Sequence, residues 1–355
     1  MERASPWQLF NTSWTLHRLS PLHHGKDCDS LLDNSTALSL YATRLRDHLT
    51  GNALTNLHAS ASAADENDAL SKTGALKDCN WESITGSTSR DARAGRRANP
   101  PSFPGILVTL EYENITYKAA LLAEPEPRSR SESQKQGSTY TPLLLTRLPT
   151  ALRQTFISFL SSNFDTYCST LHLPSPFLCA GLETFIDELR RSQGSNADDI
   201  VEEVVKELQL TLAFSPSIAP SLRSLNIAIS RTSLVGFLEH DSGSDSESER
   251  RTLEQKLKSP LVANLNSYLE RHLAMTLDLD GSAKNSVARQ HVRLSKAACA
   301  AFVLGSEGRM KLVVETDRSE DDETVTARNE SSLRASETLL RTVIRRAVIG
   351  DKPAT

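Results

Sequence analysis

Neither sign of charge dominates this chain: 40 Lys and Arg stand against 44 Asp and Glu in 355 residues, a formal net charge of −4. That excludes a protein that wraps nucleic acid by charge alone, since such binding needs a large excess of cations. Long apolar runs are lacking as well. No stretch approaches the ~20 residues that a transmembrane helix needs, so no membrane contact is expected. Aromatic residues make up only 5% of the chain, which suggests that part of its length is not packed. Cysteine is scarce and scattered (Cys28, Cys79, Cys168, Cys179, Cys299) with no C-x-x-C pair, so neither a zinc ribbon nor a redox motif has support. The opening Met1-Glu2-Arg3-Ala4-Ser5-Pro6-Trp7 lacks the charged-then-apolar pattern of a secretory signal. Reduced thiols in a nuclear or cytosolic chain are therefore expected.

The motifs of common chemistries are missing too. There is no G-x-x-x-x-G-K-[ST] to cradle phosphate, no G-x-G-x-x-G after a strand, no G-x-S-x-G and no H-E-x-x-H. His23 and His24 are adjacent, which suits exposed loop residues better than a metal pair. A Ser/His/Asp triad assembled in space has no local signature in its favour. No cofactor, metal or catalytic residue is expected.

What the sequence does contain is a series of ordered blocks separated by loose inserts. Ser13–Leu19 alternates in the manner of a half-buried strand, and Leu38, Tyr41, Leu45 and Leu49 then recur at helical spacing behind capping candidates Asp33, Asn34 and Ser35. Residues 51–104 lose all periodicity and read as a disordered insert, with one short ordered piece around Trp81. Ile106–Tyr112 and Ile115–Leu122 flank Glu113-Asn114 as a hairpin. A second insert spans 124–139, and a short strand follows at 141–145. Two helices carry the stripes Leu152 to Tyr167 and Leu178 to Leu189. Beyond them Leu208–Phe214 and Leu225–Ser230 alternate as strands, Leu234–Glu239 is a short helix, and Leu261 to Leu273 is an amphipathic one. Strands are expected at Val287–Leu294 and Arg309–Val314, with a last helix over Ser331–Ile349. This predicts an α+β fold: an N-terminal α/β part over 1–50 and 105–195, and a C-terminal β-rich part over 196–355 interrupted by acidic linkers at 240–250 and 316–330.

Two charge features could bear on function. Ser242, Ser244, Ser246 and Ser248 sit among acidic residues, a context for acid-directed kinases that would add about −1.5 to −2 charge per site. In the last helix, Arg334, Arg341 and Arg345 share one face while Leu333, Leu340, Ile344 and Ala347 share another. Such arginines can contact phosphates of DNA or a protein partner, or simply form a solvated face.

The run Trp14-Thr15-Leu16-His17-Arg18-Leu19-Ser20-Pro21-Leu22, followed by a helix, resembles the N-terminal signature of the CENP-L family of inner-kinetochore proteins. The likeness continues through Thr141–Leu145 with the helix Phe156–Tyr167, Leu208–Ile229, Tyr268–Leu273 and Gly308–Leu312. The inserts at 50–104 and 124–139 have no counterpart and look like fungal-type expansions. The resemblance implies a curved, largely antiparallel β-sheet with helices packed against it, in a non-enzymatic subunit of the constitutive centromere-associated network in the nucleus. It further implies a heterodimer with a CENP-N family partner through the C-terminal β-rich portion. The pair would help to bind CENP-C and CENP-A chromatin, with DNA in a shared groove. On that reading the partner-facing candidates are Val292, Leu294, Lys311 and Val313, alternating positions on late strands that could pair with another sheet. A homodimer is a further expectation. The competing classes are a stand-alone nucleic-acid-binding module, which the net charge disfavours, and a hydrolase, which the missing motifs disfavour.

Overall fold

The computed structural model describes residues 4–25, 28–32, 34–59, 73–84, 103–125, 137–191, 197–217, 221–238, 260–273, 278–279, 291–315 and 323–349. These form two compact units, one of residues 1–171 with 343–355 and one of 172–342. The division thus falls at 171/172, upstream of the expected 195/196. The fold is α+β, with antiparallel strand pairing within each unit.

In the first unit the strands β1 (Ser13–Leu19), β3 (Leu76–Ile84), β4 (Gly105–Tyr112), β5 (Thr116–Leu122), β7 (Leu143–Arg147) and β8 (Cys168–Thr170) form one sheet in the order β8-β1-β7-β5-β4-β3. The Glu113-Asn114 turn of the β4–β5 hairpin is closed by a bond from the Tyr112 amide to the Ile115 carbonyl, as its spacing predicts. Helix α1 (Ser35–Ala59) begins where Asn34 Oδ1 accepts the Ala37 amide at 3.0 Å, an N-cap that satisfies one of the free donors of the first turn. Leu38, Tyr41, Leu45 and Leu49 are buried with Phe156, Phe159 and Phe164 of α2 (Thr150–Phe164). Helix α2 stops at Asp165, which adopts left-handed φ 46°. Tyr167, expected in the core stripe, therefore lies past the helix and is 72% exposed.

Two further boundaries differ from expectation. Helix α1 runs ten residues beyond Leu49, to Ala59, while the short ordered piece expected around Trp81 is the strand β3. Trp81 at its centre is buried in an aromatic knot with Tyr41, Phe159 and Phe164, at ring separations of 6.2, 6.4 and 6.3 Å. The end of the second insert is also ordered: β6 (Ser138–Thr139) pairs with β2 (Leu22–His23).

The second unit has the sheet β10-β9-β11-β12-β13, made of β9 (Leu208–Phe214), β10 (Ser224–Ile229), β11 (Val292–Ala298), β12 (Phe302–Gly305) and β13 (Arg309–Leu312). Helix α3 (Ser175–Arg191) packs on β11, and Phe185 meets Phe302 edge to face at 4.8 Å. Helices α4 (Ala197–Val205), α5 (Arg231–Leu238) and α6 (Leu261–Leu273) continue the helical layer. Helix α4 and strand β12 had no sequence expectation. Strand β11 lies downstream of the expected Val287–Leu294, whose first residues are outside the described ones. The last helix, α7 (Glu323–Ile349), starts eight residues before Ser331 and absorbs half of the expected 316–330 linker. No described helix is long and apolar enough to cross a membrane.

Candidate partner-binding edge

Strand pairing decides which backbone groups remain available to a partner. Strand β11 has β9 on one side and β12 on the other, so both of its edges are occupied. Val292 and Leu294 are opposite Phe214 and Leu212 and are 7% and 1% exposed. They belong to the sheet core of the unit. Val313 is also spoken for: its amide donates to the Ala301 carbonyl at 2.7 Å, just past the end of β13. Its surroundings hold an ion network in which Arg328 bridges Glu203 at 3.5 Å and Glu315 at 3.0 Å. Lys311, opposite Val303, points away from the core layer, because its neighbours Met310 and Leu312 are buried; Val313, half-buried between Leu312 and Val314, shares that side.

Strand β10, by contrast, pairs only with β9 among the described residues. The Phe214 amide donates to the Arg223 carbonyl at 3.0 Å. Antiparallel pairing alternates from residue to residue, so the amides of Leu225, Ile227 and Ile229 also face β9 while those of Ser224, Asn226 and Ala228 face outward. The strand Ser-Leu-Asn-Ile-Ala-Ile has no charge, no proline and no bulge over its six paired residues. The terminal strand of the first unit's sheet is different. Strand β3 carries Lys77, Asp78 and Glu82 and a register irregularity between Leu76 and Asp78, the devices by which edge strands resist added strands. β10 lacks all of them. An uncharged alternating hexapeptide is visible in the sequence; its place at the end of the sheet is not.

The arginine row of α7 is engaged with carboxylates. Arg334 lies 3.5 Å from Glu330, and Arg345 lies 3.7 Å from Glu124. Glu337 stands between Arg334 and Arg341; burial raises its carboxyl above the usual range while the two guanidinium groups oppose that rise. Leu333, Leu340, Ile344 and Ala347 are buried, as their spacing predicts. Ser242, Ser244, Ser246 and Ser248 lie outside the described residues.

His17 is buried with Nε2 3.2 Å from Thr146 Oγ1, and burial, helped by the nearby Arg153, lowers its pKa to about 4. His24 is not the exposed loop residue expected: it is 8% exposed and 2.9 Å from Thr139 Oγ1, with Cys28 Sγ 3.2 Å from its other ring nitrogen. No group of three or more His, Cys, Asp or Glu among the described residues could hold a metal ion.

No curated protein matches this sequence. The family model described as centromere protein L matches residues 8–348, from the turn before β1 to the end of α7. That match spans both units and both inserts, and this chain belongs to the centromere protein L family, whose members serve at the inner kinetochore.

Proposed function

We propose that this chain is a non-enzymatic scaffold subunit of the inner kinetochore that heterodimerises with a CENP-N-like partner by strand addition at β10. The pair, with CENP-C, assembles the centromere-associated network on CENP-A chromatin in the nucleus. Family membership supplies the setting, and the observation that carries the pairing mode is the uncharged, unbulged terminal strand β10. A strand added there would take up the outward backbone groups of Ser224, Asn226 and Ala228, and alternate side chains would select the partner.

Ala228→Pro tests this directly. It deletes one outward donor and leaves the bonds to β9 in place, at an edge position that tolerates proline. A buried acceptor on the partner left without its donor costs about 1–3 kcal/mol, a roughly 5- to 150-fold loss of affinity. The full chain co-expressed with the CENP-N-family protein of the same source should give a one-to-one complex by light scattering. Ala228→Pro should weaken that complex while its circular dichroism and melting stay unchanged. An undiminished complex from Ala228→Pro would refute β10 as the edge. A purification from mitotic and interphase nuclei that yields no centromeric protein would refute the function itself.

A further inference from the structure

The face of the second unit's sheet opposite its helices carries a set of cations, of which only Lys311 has been considered above, as a partner-facing candidate. Registers across the sheet place Lys296 opposite both Thr211 and Gly305, Gly305 opposite Arg309, and Val303 opposite Lys311. Arg293 stands opposite Ala213 on the same side. Arg293, Lys296 and Arg309 are exposed and Lys311 is half-buried. None of the four makes an ion pair with a described residue, whereas the arginines of α4's neighbours and of α7 do. Between β11 and β13 the same face of β12 carries Gly305 and the half-buried Val303, and beyond β11 it continues through Ala213 and Thr211 of β9. At its rim Glu307 lies in the β12–β13 turn, and Glu207 accepts a bond from Gln209 at 2.8 Å.

A bulge builds this face. Arg293 and Lys296 are three residues apart, an odd separation that in a regular strand would send them to opposite sides. The register of β11 shifts between Leu294 and Lys296, so Ser295 is extra and Lys296 returns to the side of Arg293. Without the shift, Lys296 would point into the hydrophobic layer. The irregularity therefore puts Lys296 on the cationic face and Ala297, opposite Leu210, in the core.

We propose that this basic face binds a short acidic polypeptide segment in extended form. Arg309 and Lys311 are two residues apart on β13, about 6.7 Å, which is also the repeat of alternate side chains in an extended peptide. Lys296 stands two strands away, about 10 Å, and sets the width of a single peptide track. Duplex DNA fits less well. Acidic residues outnumber basic ones in this unit, so its net charge does not favour a long polyanion, while a short segment ends where the cations end. No aromatic side chain lies on these positions to stack an unpaired base.

The proposal stands whether or not β10 receives a partner strand, and the test separates the two. A fluorescein-labelled alternating glutamate–serine peptide is titrated with the full chain in low salt and followed by anisotropy. Binding is expected, weakening as salt rises. Lys296→Gln, Arg309→Gln and Lys311→Gln should each weaken it roughly threefold, and the triple variant more than tenfold. Arg334→Gln on α7 and Ala228→Pro on β10 should leave it unchanged, and circular dichroism identifies any variant that fails to fold. Absence of peptide binding, equal loss in Arg334→Gln, or tighter binding of a duplex oligonucleotide of equal charge would each overturn the proposal.

Discussion

Acidification should loosen the first unit by way of His17. The side chain sits on β1, 4% exposed, bonded to Thr146 and near Arg153, and its pKa falls from 6.5 to about 4. The fold therefore holds the imidazole neutral, while the unfolded chain takes up a proton below about pH 6.5. The unfolded state binds more protons between the two values, so stability is fully present above pH 6.5 and is lost as pH falls towards 4. Over the 2.5 units the loss reaches about 3.4 kcal/mol, of which about 2 kcal/mol is already gone at pH 5 relative to pH 7.5. The sequence's three tryptophans, Trp7, Trp14 and Trp81, all belong to the first unit, so urea unfolding followed by tryptophan fluorescence reads that unit selectively. His17→Gln keeps a group able to bond Thr146 but does not titrate, and should lose about 2 kcal/mol less than the parent between the two pH values. His24 is lowered too, mainly by burial, so a His24→Gln variant measured alongside assigns the remainder. Equal pH dependence in His17→Gln and the parent would refute the reasoning.

Two substitutions test the packing of each unit. Gly105 opens β4 at a point where an added Cβ would stand 2.5 Å from the Leu121 carbonyl oxygen, so Gly105→Ala should destabilise the first unit by about 1–3 kcal/mol in urea. Phe302 is fully buried against Phe185, and Phe302→Ala should cost about 3–5 kcal/mol; this unit lacks tryptophan, so far-ultraviolet circular dichroism must follow it.

Local patterns announced those elements whose burial is one-sided. Leu208, Leu210, Leu212 and Phe214 alternate with half-buried or exposed neighbours, and the α2 stripe of Leu152, Phe156, Phe159 and Phe164 follows helical steps, because each element buries one face. Strand β3 fails the same test. Lys77, Asp78, Asn80 and Glu82 give it the composition of an insert, and only the packing of Trp81 under Tyr41 and Phe159, distant in sequence, makes it a strand. His17 shows the complementary failure: alternation places it with Thr15 on a polar side, yet it is buried and bonded to Thr146 of the neighbouring strand. Strand β12, four residues long, is too short to show a period.

The functional surface is harder to read because parity counted along the chain fails at a bulge and says nothing about order across a sheet. Val292, Leu294, Lys311 and Val313 look equivalent when alternate positions are counted within each strand. Registers show Leu294 opposite Leu212 in the core and Lys311 opposite Val303 on the other face. Arg293 and Lys296 look opposed by the same count, and the shift at Ser295 unites them. The edge follows the same logic, since Ser224–Ile229 reads like an internal strand and only the lack of a second neighbour among the described residues sets it apart. A partner that adds a strand at β10 would extend the basic face on its own side of the new strand, beside Asn226 and Ala228. The side chains it projects there would then decide whether the acidic track widens or closes.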